Sequence, residues 1–279
     1  MEHKEDSFIG EKDLKIYYQI WIPEGSPKAV IQIVHGFGEH SGRYMNVVNK
    51  LVPMGYIIYA DDHRGHGKSD GVENYVDSFD LYVEDEKKLY DIARENHPNI
   101  PYFMLGHSMG SGIAQYFAKK YQSLLDGLIL SGAGNSVGDE VSGFIKVMSK
   151  AMAVLAPKMT VDSGLDPNFL SHDPQVVQAY IDDPLVHYEK VTARLGKEML
   201  VRFTNLDEVV EELTLPLLVQ CGSEDKAVFG IDELKQHYTM EDKTVKIYDG
   251  LYHEVYNEVK DKREIVLNEL AQWLENHIK

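Results

Sequence analysis

Cysteine is nearly absent from this sequence. Cys221 stands alone among 279 residues, so no disulfide can close within the chain. It sits in the apolar run 217–221 and reads as a buried strand residue. Long apolar runs are missing too. No stretch approaches the roughly 18 residues that read as a membrane span. Met1 to Gly10 is polar and charged where a signal peptide would be apolar. Positive charge is in deficit: 28 Lys and Arg face 45 Asp and Glu, a formal net charge of −17. Such a surface repels phosphate backbones and anionic headgroups, which argues against nucleic acid as a partner. Low-complexity segments and repeats of fixed period are also lacking. What remains is globular. The chain is 43% hydrophobic and 10% aromatic, enough for a large core. The expectation is a cytoplasmic protein with no stable membrane span.

The periodicity alternates between strand and helix. Leu14, Ile16, Tyr18, Ile20 and Ile22 repeat every second residue, a strand pattern. Gly10 to Asp13 before them suits a turn from an earlier short strand. Ala29 to Val34 is a nearly continuous apolar run, so a buried strand. Helical spacing covers Arg43 to Met54, with Gly55 as its stop. Strands follow at Tyr56–Ala60, Tyr102–Leu105, Gly127–Leu130, Pro216–Cys221 and Val245–Tyr248. Helices fill Phe79–Glu95, Met109–Tyr121, Ile231–Tyr238 and Glu258–His277. This order implies an α/β protein: a mostly parallel sheet with helices on both faces.

One interval breaks the alternation. Ser131 to Leu215 shows helical patterns and three Asp-Pro breaks, at 166–167, 173–174 and 183–184, but no clear strand. It is far longer than an ordinary connection within a βα unit. The reading is a core of residues 1–133 and 207–279 with a helical cap, or lid, inserted at 134–206. In open α/β sheets the site lies at the carboxyl ends of the strands, where such a lid would roof it.

The chemistry is concentrated in Gly106-His107-Ser108-Met109-Gly110, between a predicted strand and a predicted helix. That is the context of a nucleophile elbow, and it defines the α/β-hydrolase fold class. The turn is too tight for side chains two before or two after the serine. It lifts the Ser108 hydroxyl out of the sheet, above a helix N-terminus that favours developing negative charge. A serine hydroxyl needs a base to take its proton. In this fold the partners follow in the order Ser, Asp/Glu, His. Asp225 stands in the loop after the strand ending at Cys221, with Glu224 as competitor. His253 follows the last strand and precedes the final helix. His35-Gly36-Phe37-Gly38 suits an oxyanion loop, with the backbone N–H groups of Phe37 and Met109 as donors and His35 in a structural role. His63 and His66, with Asp61, Asp62, His35 and His40, look like dispersed metal ligands. Neither H-x-H-x-D-H nor H-E-x-x-H spacing is present, so no catalytic metal and no cofactor is expected.

These residues resemble the monoacylglycerol lipase and lysophospholipase group of α/β-hydrolases, within the serine-aminopeptidase-like family. The matching stretches are residues 35–44, from His35 to Tyr44; 62–69, from Asp62 to Ser69; 106–110; Asp183 to Val186; and Tyr248 to Glu254. The resemblance spans nearly the whole chain, lid included. It implies a triad of Ser108, Asp225 and His253 and an oxyanion hole at Phe37 and Met109. The sequence departs from the pattern at Ser111, where the family usually carries glycine, and at Lys226 and Ala227.

In the insertion, Phe144, Val147, Met148, Ala151, Met152 and Leu155 recur at helical spacing. The pattern suits packing inside the insertion. It also suits the wall of an acyl-chain channel, with Phe144, Met148 and Met152 as lining residues. The resulting expectation is hydrolysis of a single-chain lipid ester, monoacylglycerol first, with the lid touching a lipid surface transiently. The rivals are a lysophospholipase, thioesterase or aminopeptidase on the same triad, and a non-catalytic binding protein on the same fold. An aminopeptidase would need clustered lid carboxylates for the substrate amine; Asp182 and Asp183 look like helix-end residues instead. Oligomeric state is not legible in the sequence.

Overall fold

The computed structural model describes residues 1–137 and 152–278. Its centre is an eight-stranded sheet. The strands are β1 (Glu2–Ile9), β2 (Lys15–Ile22), β3 (Ala29–Val34), β4 (Tyr56–Asp61), β5 (Tyr102–His107), β6 (Gly127–Ser131), β10 (Leu217–Gly222) and β12 (Lys243–Tyr248). They lie in the order β1-β2-β4-β3-β5-β6-β10-β12. From β4 onward every pairing is parallel. β1–β2 and β2–β4 are antiparallel.

Alternation along the strands sorts side chains to two cores. Tyr102 and Met104 face one side of β5, and Phe103 and Leu105 the other. The first side is covered by α2 (Asp80–Asn96) and α3 (Met109–Tyr121), which bury Tyr82, Leu89, Ile113 and Phe117. The second is covered by α1 (Met45–Leu51) and α8 (Lys260–His277) through Val47, Val48, Leu270 and Trp273. Both faces of the central strands are therefore dry, as a parallel sheet requires.

The earlier strand expected before Gly10 is present as Glu2–Ile9, mostly exposed because it is the sheet edge. Two places differ from the sequence expectation. The helix expected at Arg43–Met54 is broken into 3₁₀ turns around a short α-helix. Pro53 cannot donate into an α-helical ladder, so the last turn tightens before Gly55 turns out at φ 101°. The segment between β6 and β10, expected as a helical insertion, holds short strands. β7 (Ser136–Val137) pairs with β11 (Val228–Phe229), and β8 (Thr160–Asp162) with β9 (Lys190–Thr192). Pieces of two or three residues are too short to show a period.

Two of the Asp-Pro breaks are helix starts. Asp173 caps α4 (Pro174–Asp182) by accepting the Gln175 N–H at 3.0 Å, with proline at the first helical position. Asp166 accepts from Asn168 N–H in the same way at 3.0 Å and opens a 3₁₀ turn. α5 (Ala193–Thr204) and α6 (Leu206–Val210) lead back to the sheet, and α7 (Ile231–His237) lies between β11 and β12. The insertion is tied down by backbone. His187 N–H donates to Gly38 O at 2.8 Å, Glu254 N–H to Leu170 O at 2.8 Å, and Asn74 Nδ2 to Lys190 O at 2.8 Å. Among the described residues no helix is long and apolar enough to cross a membrane.

Candidate active site

The elbow between β5 and α3 is as tight as the sequence demands. Ser108 sits at φ 53°, ψ −121°, a strained conformation for a non-glycine residue. A Cβ on Gly106 would stand 2.4 Å from Gly110 O, and one on Gly110 only 2.0 Å from Val34 O. Neither position can carry a side chain. The turn is held by Ser108 N–H donating to Ser131 O at 3.0 Å and Ser111 N–H to Ser108 O at 2.8 Å. Ser111, the departure from the glycine pattern, is fully buried. Its hydroxyl donates to the Ser108 carbonyl at 2.7 Å. The hydroxyl finds a partner where a bare glycine would leave that carbonyl with one bond fewer.

His253 and Asp225 meet as expected. His253 Nδ1 lies 2.7 Å from Asp225 Oδ2. The other carboxylate oxygen accepts from Ala227 N–H at 2.8 Å and Val228 N–H at 3.1 Å, so the loop after β10 aims the acid. Glu224, the competitor, is exposed, and the carboxylate that pairs with His253 is that of Asp225. Burial pulls the His253 pKa down, but the Asp225 carboxylate, with Glu254 and Glu39, more than offsets this and the net shift is upward. Burial raises the Asp225 pKa, yet the charge and hydrogen bond of His253 leave it below the usual aspartate value. His107, 4.7 Å from His253 between ring centroids, is driven down to about 4 by burial and by His253, and stays neutral.

Ser108 and His253 line one cavity of about 210 Å³ together with Gly36 and Phe37. Its apolar wall includes Leu165, Leu170, Val191, Met199 and Val228, drawn from the insertion and from β11. Met109 is the first residue of α3, where a backbone N–H has no intrahelical acceptor. Phe144 and Met148 lie outside the described residues. Met152 is described, half-buried, and is not part of this cavity wall.

A buried ionic network at the cavity floor was not read from the sequence. Arg43 donates to Glu39 Oε2 at 2.6 Å and holds Glu254 with two bonds at 2.7 and 2.8 Å. Glu39 also accepts from Gly36 N–H at 2.7 Å and Tyr44 OH at 2.8 Å. The guanidinium lies 4.4 Å from the centre of the Tyr180 ring, which comes from α4 in the insertion. Burial would raise Glu254, but Arg43 holds it down to about 2. Glu39 and Glu254 both line the cavity as charged, paired groups. Beside them, His40 Nε2 meets Asp183 Oδ2 at 3.0 Å across the join with the insertion. His35 plays the structural part expected of it. His63 N–H donates to its Nε2 at 2.8 Å, and its Nδ1 faces Gly36 O at 2.7 Å. Cys221 is buried, with its thiol pushed up to about 12 by burial.

A strained serine between strand and helix, with a paired Asp and His on the loops after later strands of one parallel sheet, defines an α/β-hydrolase. Within that class, the family model described as serine aminopeptidase, S33, matches residues 25–260. A monoacylglycerol lipase of Mycolicibacterium smegmatis is 37% identical over 276 residues, covering 98% of both chains. The monoglyceride lipase of Mus musculus is 32% identical, covering 94% of this chain and 88% of its own. The crystal structure of a Paleococcus ferrophilus monoacylglycerol lipase superposes with a TM-score of 0.81 at 28% identity, covering 99% of this chain and 100% of that one. The chain belongs to the serine aminopeptidase S33 family, and monoacylglycerol lipases are among its relatives.

Proposed function

We propose that this chain is a carboxylic-ester hydrolase that cleaves monoacylglycerols through an acyl-enzyme on Ser108. The observation that carries the reading is the 2.7 Å pairing of His253 with Asp225 on the cavity that Ser108 also lines. Ser108 Oγ attacks the ester carbonyl carbon while its proton passes to His253 Nε2. Asp225 holds the Nδ1 proton and stabilises the imidazolium. The carbonyl oxygen, now an anion, takes the N–H groups of Phe37 and Met109. The C–O bond to glycerol then breaks, and His253 gives its proton to the leaving oxygen. Water repeats the sequence on the acyl-enzyme: His253 takes its proton, the fatty acid leaves, and Ser108 regains its hydrogen.

Residues 134–206 act as a cap over this site in the same reading. The apolar wall they share with β11 suits one acyl chain, and Glu39 and Glu254, held by Arg43 behind them, suit a polar head. The carboxylates also speak against an aminopeptidase. Glu39 and Glu254 are both paired with Arg43, and Asp183 is engaged by His40, so among the described residues no unpaired carboxylate cluster lines the cavity to receive a substrate amine. A cytoplasmic location fits a single buried thiol.

The test is a panel of monoacylglycerols, triacylglycerols, lysophospholipids and aminoacyl amides offered to the purified protein. Monoacylglycerol should be turned over fastest, and a fluorophosphonate should label Ser108. Faster cleavage of an aminoacyl amide would move the function to the runner-up class.

A further inference from the structure

Behind the oxyanion loop lies a second cluster that the proposed reaction does not use. Asp61 ends β4, His63 follows it by two residues, and Glu86 comes from α2. All three are buried, at 0%, 1% and 0% exposure. Their donor atoms lie within 4.8 Å of one another. His63 Nδ1 is 3.3 Å from Glu86 Oε1 and 3.6 Å from Asp61 Oδ2. Both oxygens of Asp61 and Oε1 of Glu86 lack a hydrogen bond. Carboxylate oxygens are seldom left so in a core.

We propose that Asp61, His63 and Glu86 form a buried divalent-cation site of the zinc type, with a structural role. Three residues supply the donors, His63 Nδ1, Glu86 Oε1 and one oxygen of Asp61, and a bound water would take the fourth corner. Ligands about 2.0–2.1 Å from a tetrahedral zinc stand about 3.3 Å apart, close to the two nitrogen–oxygen distances found here.

The surroundings orient the donors. His63 Nε2 faces the His35 carbonyl at 3.0 Å, so Nε2 carries the hydrogen and Nδ1 is turned to the carboxylates. Such a bond fixes the tautomer of a ligating histidine. Glu86 Oε2 accepts from Gln32 Nε2 at 2.5 Å, and Gln32 in turn accepts from Tyr102 OH, leaving Oε1 to point at His63. The cluster brings two carboxyl groups and one imidazole together in a space without exposure. Arg64, on the same loop, is committed to Asp85 by bonds of 2.7 and 2.9 Å. A divalent cation with neutral His63 balances both carboxylates. The consequence for the fold is a clamp joining β4, the loop behind His35, and α2.

The test uses the full-length protein, unfolded in chelator and refolded with or without Zn²⁺. Metal content, melting temperature and the visible spectrum after Co²⁺ substitution are the readouts. Wild type should hold one equivalent, melt higher with Zn²⁺, and give the absorption of low-coordinate Co²⁺. Glu86→Gln and Asp61→Asn should each weaken binding by about 100-fold or more, since losing an outer-shell partner alone costs 10–100-fold. His237→Gln is the control: it removes a half-buried surface histidine flanked by Glu211 and Asp207, and should bind as wild type does. If wild type refolded with Zn²⁺ gains neither metal nor stability, or if Glu86→Gln binds as well as wild type, the proposal is overturned and the cluster holds protons alone. Should Glu86→Gln fail to fold, Asp61→Asn and the wild-type Co²⁺ spectrum decide the matter.

Discussion

Ser108 is the residue on which the proposed chemistry turns. Ser108→Ala removes the nucleophile without adding bulk to the elbow. Turnover should fall on the order of 10⁶-fold with the melting temperature nearly unchanged, as assay and calorimetry would show together. The pH profile tests His253. Only its neutral form accepts the serine proton, so kcat/KM should rise with pH through the His253 pKa. Because Asp225 and its acidic neighbours raise that pKa, the acid limb should lie above the ordinary histidine value of about 6.5. Asp225→Asn should lower turnover on the order of 10⁴-fold and move the limb to lower pH. An unmoved limb would show that the titrating base is not His253. Arg43 is a structural counterpart. Arg43→Met leaves Glu39 and Glu254 buried without their cation, which should cost on the order of 3 kcal/mol in a denaturant titration. The proposed triad was legible because each member follows a strand end in a fixed chain order. The Arg43–Glu254 pair was not, because its members are 211 residues apart and nothing within the two stretches that hold them says that they meet. The same holds for Glu86, which joins Asp61 and His63 from a helix whose pattern shows only amphipathicity.

At the scale of elements, the elbow is the least tolerant part of the molecule. Gly110→Ala would drive a methyl to 2.0 Å from Val34 O, a backbone atom of the neighbouring strand that cannot step aside. The expected outcome is loss of activity with a clear drop in melting temperature, unlike the silent thermal profile of Ser108→Ala. Equal stability of the two variants would show that the elbow relaxes. Strands β3 to β6 and β10 were legible as apolar runs closed by polar turns, because a parallel sheet buried on both faces leaves no other pattern; β12, a sheet edge without a buried residue, showed only its short stretch Val245–Tyr248. Element boundaries were less so. Pro53 splits one predicted helix by removing a donor, a local effect that apolar spacing does not register. The two-residue strand β7 owes its form to its partner β11, about ninety residues on, and to nothing within itself.

For the whole molecule, the cavity joins an apolar wall to a polar floor, and this sets the substrate expectation. Each methylene buried along the wall should contribute about 0.8 kcal/mol, so kcat/KM should climb with acyl length until the cavity is full. Triacylglycerols, with two further chains to place, should be slower than monoacylglycerols in a side-by-side assay. Rates independent of chain length would remove the acyl-channel reading.

The edge strand carries a different consequence. β1 covers β2 along its whole length, from Glu2 opposite Ile22 to Ile9 opposite Lys15, and His3 stacks on Trp21 at 5.0 Å. Its own outer rim is charged and mostly exposed, while β2 beneath it buries Ile16, Tyr18, Ile20 and Trp21. The first nine residues thus work as a shield against self-association: a charged strand occupies the edge that an apolar one would otherwise present to a second molecule. Proteolytic trimming of this strand should leave the chemistry of Ser108 in place yet make the protein precipitate as concentration rises, which light scattering would register before any loss of turnover.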